Sequence, residues 1–383
     1  MSKVFLENSI KYFGASLDAL DTEEALNIKR SYVESLSSGR GSIGLRDPYA
    51  LFQSIMGSRV RDLGHRNLGR FLVETWLTPK PQISDTDFIT GKSYSEFIQN
   101  GGCKAFARLL KEFVKAHVFP HIPGMIGVDH SLTGGILMAL SERLGPENVA
   151  VLVFDAHTDA VPLPIRSGLV QYASEAGLPS PRPISVSPGL APYTTGDFLL
   201  HLIEEEIILP ANLIIVGTAD RTEELRSLND RRVREYVHHH DVLSDRGVKI
   251  ISKQQLQQLG PPLVRKVLDT IECPNLYISL DVDVSAFSGV LATRFLDLVG
   301  TEISAILEAT VEIAKLLSSN RFRLIGVDVM EIDIHKIGAR LHNGLEDRTG
   351  YFIQEFLSIL MVSLCNQMKV TDVNEEVSWT FGA

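Results

Sequence analysis

Short runs of Val, Ile and Leu alternate along the chain with longer stretches in which apolar residues recur at helical spacing. Runs this uniformly apolar are typical of strands covered on both faces, as in parallel sheets. Six of them predict strands, at residues 125–128, 149–154, 212–217, 248–252, 276–280 and 323–329, and the segment YFGASLDAL suggests a first strand and turn before them. The stretches between predict helices at residues 105–118, 132–144, 197–208, 223–237, 253–271, 302–317 and 351–364.

The order of these elements predicts the fold class. A strand, a helix and a parallel strand in succession form a right-handed crossover, and repeated crossovers place helices on both faces of the sheet. We therefore expect an α/β fold, a three-layer α/β/α sandwich with a mainly parallel central sheet. The length would permit two domains, but α/β enzymes of this size often fold as one and no internal repeat divides the chain. The expectation is a single catalytic domain, residues 1–383.

One predicted connection is unusually long. The Pro- and Gly-rich segment from Pro162 to Gly196 follows a strand and exceeds an ordinary loop. Because such segments inside compact domains are usually functional or disordered, its position predicts a wall of the functional site. The polar stretch from Ser37 to Gly102 has little periodicity and indicates no domain boundary.

Charge and composition exclude several classes of protein. The net charge is −10 and no Lys/Arg-rich run is present, so nucleic acid is not an expected partner, although cationic substrates are weakly favoured. Cys103, Cys273 and Cys365 lie far apart, which argues against a disulfide framework and against a thiolate zinc site. No apolar run reaches membrane-spanning length and no signal-peptide pattern is visible, so we expect a cytoplasmic protein without a membrane partner.

Charged side chains follow three of the predicted strands directly. The motifs are DHS after IGV, DAHTD after VLVF and DVDV after YISL, and they carry Asp129, His130, Asp155, His157, Asp159, Asp281 and Asp283. The carboxyl ends of parallel strands open on one edge of the sheet, where α/β proteins bind ligands. Carboxylates gathered there would repel one another unless cations offset them. Oxygen-rich ligation with one or two imidazoles suits Mn²⁺ better than a structural zinc ion.

Each motif on its own also fits a simpler interpretation. Asp-x-His after a strand is often a hydrogen-bonded loop cap, and Asp-x-Asp is a common turn composition. The occurrence of three such motifs at strand ends of one chain favours a metal site over three independent caps.

The motifs GVDHS, DAHTD and SLDVD resemble, in this order, the three metal-binding signatures of the ureohydrolases, the family of arginase, agmatinase and formimidoylglutamase. The resemblance extends from about residue 12 to about residue 364. It implies two Mn²⁺ ions, with Ni²⁺ or another divalent metal as alternatives, and a shared hydroxide as nucleophile. The implied ligands are Asp155 and Asp281 as bridges, His130 and Asp159 at one ion, and His157 and Asp283 at the other. Family members are commonly trimers or hexamers, so a homo-oligomer is expected.

The resemblance also implies catalytic and substrate-binding roles. The hydroxide would attack the planar carbon of a guanidinium or formimino group, and Asp159 would pass a proton to the leaving amine. Glu331, in GVDVMEIDIH, matches the acidic residue that hydrogen-bonds the amidinium in the family. Thr195 and Asp220 are also expected to contact the substrate, and Asp220 ends VGTAD, which resembles the strand before the family's substrate loop.

Two segments depart from the family pattern. Thr195 precedes Gly196 where most relatives have a His, which is thought to carry protons between the site and solvent. His201 lies one or two helical turns further on and could replace it, although a lone helical His more often has a surface or core role. After SLDVD, Ser285 and Ala286 replace a Pro-containing turn, so this wall of the pocket is expected to differ.

Three functional hypotheses follow. The leading one is a binuclear metal-dependent hydrolase that cleaves the linear amidine C–N bond of a small guanidino or formimino compound. Agmatine-like amines are favoured because no Ser-Gly-Asn-x-His-Gly segment is present to bind an α-amino acid. The second is a family member that has lost catalysis and serves as a metal-stabilised binding or regulatory protein. The third is a mononuclear amidohydrolase on the related deacetylase fold, in which His130 and Asp283 would be surplus.

Overall fold

A sheet of eight parallel strands runs through the part of the chain that the computed structural model describes, residues 6–19, 22–40, 44–178, 192–219 and 222–378. The strands are β1 (Glu7–Ala15), β2 (Arg66–Phe71), β3 (His121–Gly127), β4 (Ala150–Phe154), β5 (Leu213–Thr218), β6 (Lys249–Ser252), β7 (Asn275–Asp281) and β8 (Arg323–Met330). Their order across the sheet is β2-β1-β3-β8-β7-β4-β5-β6. Every neighbouring pair is parallel.

Helices connect the strands and cover both faces of the sheet, which confirms the expected three-layer sandwich. They are α1 (Glu23–Ser37), α2 (Pro48–Asp62), α3 (Gly91–Gln99), α4 (Gly102–Phe113), α5 (Thr133–Leu144), α6 (Leu163–Glu175), α7 (Phe198–Glu204), α8 (Thr222–Leu225), α9 (Arg231–Asp245), α10 (Lys253–Leu259), α11 (Pro262–Leu268), α12 (Ile303–Ser318) and α13 (Thr349–Ser378). Every residue of β3, β4 and β5 is buried, which explains why these strands read as uniformly apolar runs.

The strand order brings the ends of the strands that carry the motifs close together. The chain leaves β3, crosses to β4 three places away, and later inserts β7 and β8 between them. The register pairs Phe154 with Leu280 and Leu280 with Val329, so the carboxyl ends of β4, β7 and β8 finish at the same level. Because ligands of open α/β sheets bind where strand order reverses, this edge of the sheet is where a site is expected.

The edge strand β2 is absent from the sequence-based prediction. Its sequence, RNLGRF, lacks an apolar run because it pairs only with β1 and buries only Phe71. It lies in the stretch from Ser37 to Gly102, which also contains α2 and α3. This polar stretch therefore adds a strand to the main sheet.

Two predicted helices are each divided in two. The stretch 223–237 contains most of α8 and the start of α9, because Asp230 accepts a hydrogen bond from the Arg232 N–H and begins a new helix there. The stretch 253–271 contains α10 and α11, which are separated at Gly260. Gly260 has a φ of +74° and two prolines follow it, a combination that ends a helix.

The long segment from Pro162 to Gly196 contains a helix that the sequence pattern does not predict, α6. Residues 179–191 of this segment lie outside the described residues. Among the helices of the described ranges, none is both long enough and apolar enough to cross a membrane.

Candidate metal centre

Four of the predicted ligands meet at the ends of β3, β4 and β7 in a group that we call the inner cluster: His130, Asp155, Asp159 and Asp281. His130 Nδ1 lies 2.9 Å from Asp159 Oδ2 and 3.2 Å from Asp281 Oδ2. Its distance to Asp155 Oδ2 is 3.5 Å. The His130 side chain is 0% exposed and none of the three carboxylate side chains is more than 8% exposed, so this convergence is almost fully buried.

A second group, the outer cluster, consists of Asp155, His157 and Asp283. His157 Nδ1 lies 2.9 Å from Asp283 Oδ2 and 3.7 Å from Asp155 Oδ1. Asp155 therefore belongs to both clusters, with one oxygen near each imidazole, as its predicted bridging role requires. Asp281 belongs to the inner cluster only, so its role as a second bridge stays a prediction.

Backbone N–H groups orient the carboxylates within each motif. Asp155 Oδ1 accepts a hydrogen bond from the N–H of His157 at 2.6 Å, and Asp281 Oδ1 accepts one from the N–H of Asp283 at 2.8 Å. Both bonds span two residues, as in the Asx turns that this spacing favours. The simpler interpretation of the motifs as caps is thus correct for one carboxylate oxygen, while Oδ2 of both residues points at His130.

The second ring nitrogen of His130 is held by a buried chain of hydrogen bonds. His130 Nε2 lies 2.8 Å from Ser279 Oγ, and Ser279 Oγ donates to Asp328. Asp328 also accepts hydrogen bonds from the hydroxyls of Thr133 and Tyr277. Because such partners set the orientation of a metal-binding imidazole, Ser279 and Asp328 are functional candidates that the motif search missed. A signal was present for Ser279, which lies two residues before Asp281 and so on the same face of β7.

The ionisation of the inner cluster is consistent with a cation site. Burial, together with the charges of Asp159 and Asp283, raises the pKa of Asp155 to about 7. Burial and two neighbouring carboxylates raise the pKa of Asp281 well above its usual value. Burial lowers the pKa of His130, but the surrounding carboxylates outweigh this effect and raise it well above its usual value. Without cations, the carboxylates would therefore have to share protons.

Three atoms of the inner cluster support the same conclusion. His130 Nδ1, Asp155 Oδ2 and Asp159 Oδ2 are buried and have no hydrogen-bond partner among the described residues. Buried polar atoms are nearly always paired, and atoms that face one another unpaired at these distances are typical of metal ligands. The residues present therefore fit divalent metal ions.

Glu331 lies directly behind the inner cluster, at the end of β8. Its Oε1 accepts hydrogen bonds from the backbone N–H of His130 at 3.1 Å and from the Thr195 hydroxyl at 2.7 Å. Its Oε2 lies 3.5 Å from Nη1 of Arg294. Burial raises the pKa of Glu331 to about 8, and the charge of Arg294 opposes that rise. Arg294 is a third functional candidate, after Ser279 and Asp328, that the sequence did not reveal.

Two residues of this region, one in the inner cluster and one behind it, have strained backbones. Asp159 has a φ of +45° and Glu331 a φ of +62°, in the left-handed region that non-glycine residues rarely occupy. Such positions cost on the order of 1 kcal/mol or more and tend to cluster at functional sites. The surrounding contacts therefore hold both side chains in place against a local cost.

The remaining sequence-predicted site residues have mixed outcomes. Thr195 lies beside Glu331 and lines the cavity described below. His201 packs against the ring of Tyr193 at 5.5 Å and is absent from the described residues that line the cavity. Asp220 lies outside the described residues.

A cavity of about 430 Å³ opens onto the two clusters. His157, Asp159, Asp281 and Asp283 form its floor. The other described residues around it are Thr22, Ile98, Thr158, Val161, Leu163, Arg166, Ser167, Leu169, Val170, Thr194, Thr195, Gly196, Ala219, Leu225, Tyr236, Phe295, Asp297 and Leu298. Glu331 is not among them, so a molecule in the cavity reaches Glu331 through Thr195.

A sequence model of the Arginase family matches residues 82–336. The chain belongs to the arginase family. This confirms the resemblance of GVDHS, DAHTD and SLDVD, which all lie within the matched range, and it supports the class of enzyme expected from them, a hydrolase of amidine C–N bonds.

Two of the comparisons concern proclavaminate amidinohydrolase from Streptomyces clavuligerus. Its sequence is 27% identical to this arginase-family chain over 212 residues, which are 54% of this chain and 53% of the relative. The chain thus spans about half the length of this curated relative in the sequence alignment. Its solved structure superimposes with a TM-score of 0.57 at 19% identity and covers 96% of this chain and 95% of its own.

Other arginase-family structures share the fold. Formimidoylglutamase from Bacillus subtilis has a TM-score of 0.54 at 17% identity, with 94% of this chain and 88% of that chain covered. Arginase from Bacillus cereus has a TM-score of 0.55 at 14% identity, with coverages of 92% and 98%. These similarities confirm the architecture, and because the neighbours differ in their named activities they do not select a substrate.

Proposed function

We propose that this protein is a binuclear metal-dependent hydrolase that cleaves the linear amidine C–N bond of a small guanidino or formimino compound. The observation that supports this most strongly is the pair of ligand clusters that share Asp155 and face one cavity. A single shared carboxylate between two imidazoles provides for two ions at short separation, which is the arrangement that hydrolytic two-metal sites use.

Mn²⁺ is the proposed metal, with Ni²⁺ as the alternative, because the donors are carboxylate oxygens and imidazoles without thiolates. His130 and Asp159 would hold one ion and His157 and Asp283 the other, with Asp155 and Asp281 between them. When bound, such ions supply a water molecule of lowered pKa as the nucleophile.

The protein's own residues would bind the amidine and move one proton. Water adds to the amidine carbon, a C–O bond forms, the C–N bond breaks, and the leaving nitrogen takes up a proton as an amine. Asp159 is placed to deliver that proton because it lines the cavity and its Oδ2 lies in the inner cluster. Glu331 would act on the amidinium through the Thr195 hydroxyl that it holds at the cavity wall.

Agmatine-like amines are the substrates that the sequence favours, on the absence of an arginase-type segment for α-amino acids. The positive charge of Arg166 in the cavity wall opposes this preference. We also propose a homo-oligomer, trimer or hexamer, and a cytoplasmic location. No disulfide joins Cys103, Cys273 and Cys365, which all lie in the described part of the chain, and this is compatible with a reducing compartment.

The experiment that tests the function is an assay of a panel of guanidino and formimino compounds after loading with Mn²⁺, Ni²⁺ or Zn²⁺. Release of urea, ammonia or formamide by the Mn²⁺ protein supports the proposal. Asp155→Asn should abolish that release, whereas Asp62→Asn, an exposed residue of α2, is the matched control and should leave it unchanged. A fully metal-loaded protein that cleaves no compound would contradict the proposal and favour a binding or regulatory protein.

The mononuclear alternative makes a different prediction for two ligands. If one ion suffices, His130→Ala and Asp283→Ala should each retain much of the activity. We expect both changes to abolish it, because each removes a ligand of a different cluster. Substantial activity in either variant would favour the deacetylase-like site.

A further inference from the structure

One wall of the cavity is built by a single face of α6. Leu163, Arg166, Ser167 and Val170 all line the cavity, and their spacing of three and four residues places them on one side of a helix. This helix lies in the long segment after DAHTD, for which the sequence pattern predicts no secondary structure.

The opposite face of α6 holds it against α9. Arg232 of α9 pairs with Glu175 at 2.7 Å, and its guanidinium lies over the ring of Tyr172. Gly168 packs against the Arg232 side chain, where a Cβ would lie 3.5 Å away. Residues 168, 172 and 175 again follow helical spacing. The wall is therefore held in a defined orientation.

Apolar side chains form most of the cavity above its acidic floor. Leu163, Leu169 and Val170 contribute from α6, and Phe295 and Leu298 from the loop after β7. A cavity of about 430 Å³ lies in the range typical of pockets for drug-sized ligands. A short, doubly charged compound would leave this apolar surface unused, since burial of apolar area is what such walls contribute to binding.

Arg166 is the only Lys or Arg among the described residues that line the cavity. Its Nη2 donates a hydrogen bond to Thr194 Oγ1 at 3.0 Å. Its guanidinium rests against Gly196, where a Cβ would collide with it. Its Nε is buried and has no hydrogen-bond partner among the described residues. Burial raises the pKa of Asp197, and the charge of Arg166 opposes that rise.

We propose that the substrate of this site is an amidine with an apolar body about the size of an aromatic ring and a terminal carboxylate, and that Arg166 binds that carboxylate. This rests on the proposed function for the amidine end, which would face the acidic floor. An Arg side chain forms strong, charge-assisted hydrogen bonds with a carboxylate, whereas the ammonium of agmatine would be repelled.

Four compounds distinguish the contribution of the apolar body of the substrate from that of its terminal charged group. Agmatine and 4-guanidinobutyrate have a short aliphatic body and end in an amine and a carboxylate. The compounds 4-(2-guanidinoethyl)benzylamine and 4-(2-guanidinoethyl)benzoate have an aromatic body with the same two ends. We expect the benzoate to have the highest kcat/KM with the Mn²⁺ protein. A higher kcat/KM for agmatine than for both carboxylates would overturn the inference and leave the proposed function intact.

Arg166→Met should lower kcat/KM for both carboxylates by roughly 10-fold to 100-fold and raise it for both amines, because the repulsion of their ammonium groups is removed. Arg166→Lys should restore part of the loss, and Arg59→Met, at an exposed position of α2, is the matched control. Val170→Asn should affect only the two aromatic compounds. An equal loss for all four compounds in Arg166→Met, at unchanged thermal stability and metal content, would contradict the assignment.

Calorimetry with 4-ethylbenzoate keeps the inference separate from catalysis. This probe has the ring and the carboxylate but no amidine, so it reports on the pocket even if no compound is hydrolysed. We expect it to bind the wild-type protein and to lose roughly 10-fold or more of its affinity in Arg166→Met. Binding that is unaffected by the substitution would mean that the carboxylate contacts something other than Arg166, and the inference would fail.

Discussion

The inner and outer clusters hold similar ligands in different surroundings. His130 of the inner cluster is 0% exposed, and its second ring nitrogen contacts Ser279, which donates a hydrogen bond to the buried Asp328. His157 of the outer cluster is 26% exposed, and its second nitrogen lies 3.3 Å from Asp297, which is 40% exposed. The inner imidazole is oriented by neighbouring strands of the sheet, the outer one by a loop. The orientation of His157 therefore depends on the loop that forms part of the cavity wall, whereas the orientation of His130 depends on the sheet.

The surroundings also differ in how strongly they orient the ligand. Hydrogen bonds within a buried, low-dielectric chain are strong, and an unpaired member is costly. An ion pair exposed to solvent is worth about 0–1 kcal/mol and weakens with salt. Substitutions should therefore have graded effects on the two ions, and these effects test the comparison.

The largest effect is expected from Asp155→Asn, because Asp155 is the one ligand common to both clusters. The change removes a negative charge from each site, so both ions should bind weakly and turnover should fall on the order of 10³-fold or more. Metal content by mass spectrometry and kcat on the best substrate measure this. Retention of one tightly bound ion with full activity would show that the clusters are independent.

The next effect is expected from Ser279→Ala, which separates His130 from Asp328. Loss of such a partner typically lowers metal affinity roughly 10-fold to 100-fold. We expect the loss at the inner ion only, measured as two dissociation constants in a Mn²⁺ titration. Equal weakening of both ions would contradict the separation of the clusters.

A smaller effect is expected from Asp297→Asn, which weakens the contact with His157 Nε2. Since Asp297 is partly exposed, the outer ion should lose about 10-fold or less in affinity, and less at high salt. The same titration, at low and at high ionic strength, measures it. A fall in inner-ion affinity, or a loss as large as that of Ser279→Ala, would show that loop and sheet contribute equally.

The smallest effect is expected from Thr195→Val, which touches neither cluster. The variant keeps the shape of the side chain but removes the hydrogen bond to Glu331, worth about 0.5–1.5 kcal/mol. KM should rise roughly 2-fold to 10-fold with two ions still bound. A loss of metal in this variant would mean that Thr195 supports the inner cluster rather than the substrate.

The sequence predicts the residues that follow buried strands better than it predicts the edge of the sheet. Asp155, His157, Asp281 and Asp283 follow apolar runs directly, so the parallel sheet alone predicts that they meet. Strand β2 has no apolar run because it lies at the sheet edge, and its sequence gives no signal of pairing. The sequence therefore predicts the buried strands of the sheet but not its edge strand β2.

The cavity wall could not be predicted for a different reason. Arg166 and Asp297 have ordinary neighbours in the sequence, and their roles depend on how α6 and the loop after β7 pack in three dimensions. Arg294 reaches Glu331 only because the strand order brings β7 beside β8. Long-range contacts of this kind leave no local pattern, so the residues of the two clusters were predictable, whereas Arg166, Asp297 and Arg294 were not.

The most direct test of the two-cluster site is the anomalous scattering of crystals of the Mn²⁺-loaded protein. We expect two manganese peaks per chain, one bounded by His130 and Asp159 and the other by His157 and Asp283, with Asp155 contacting both. A single peak, or two peaks without a common carboxylate, would contradict the binuclear site.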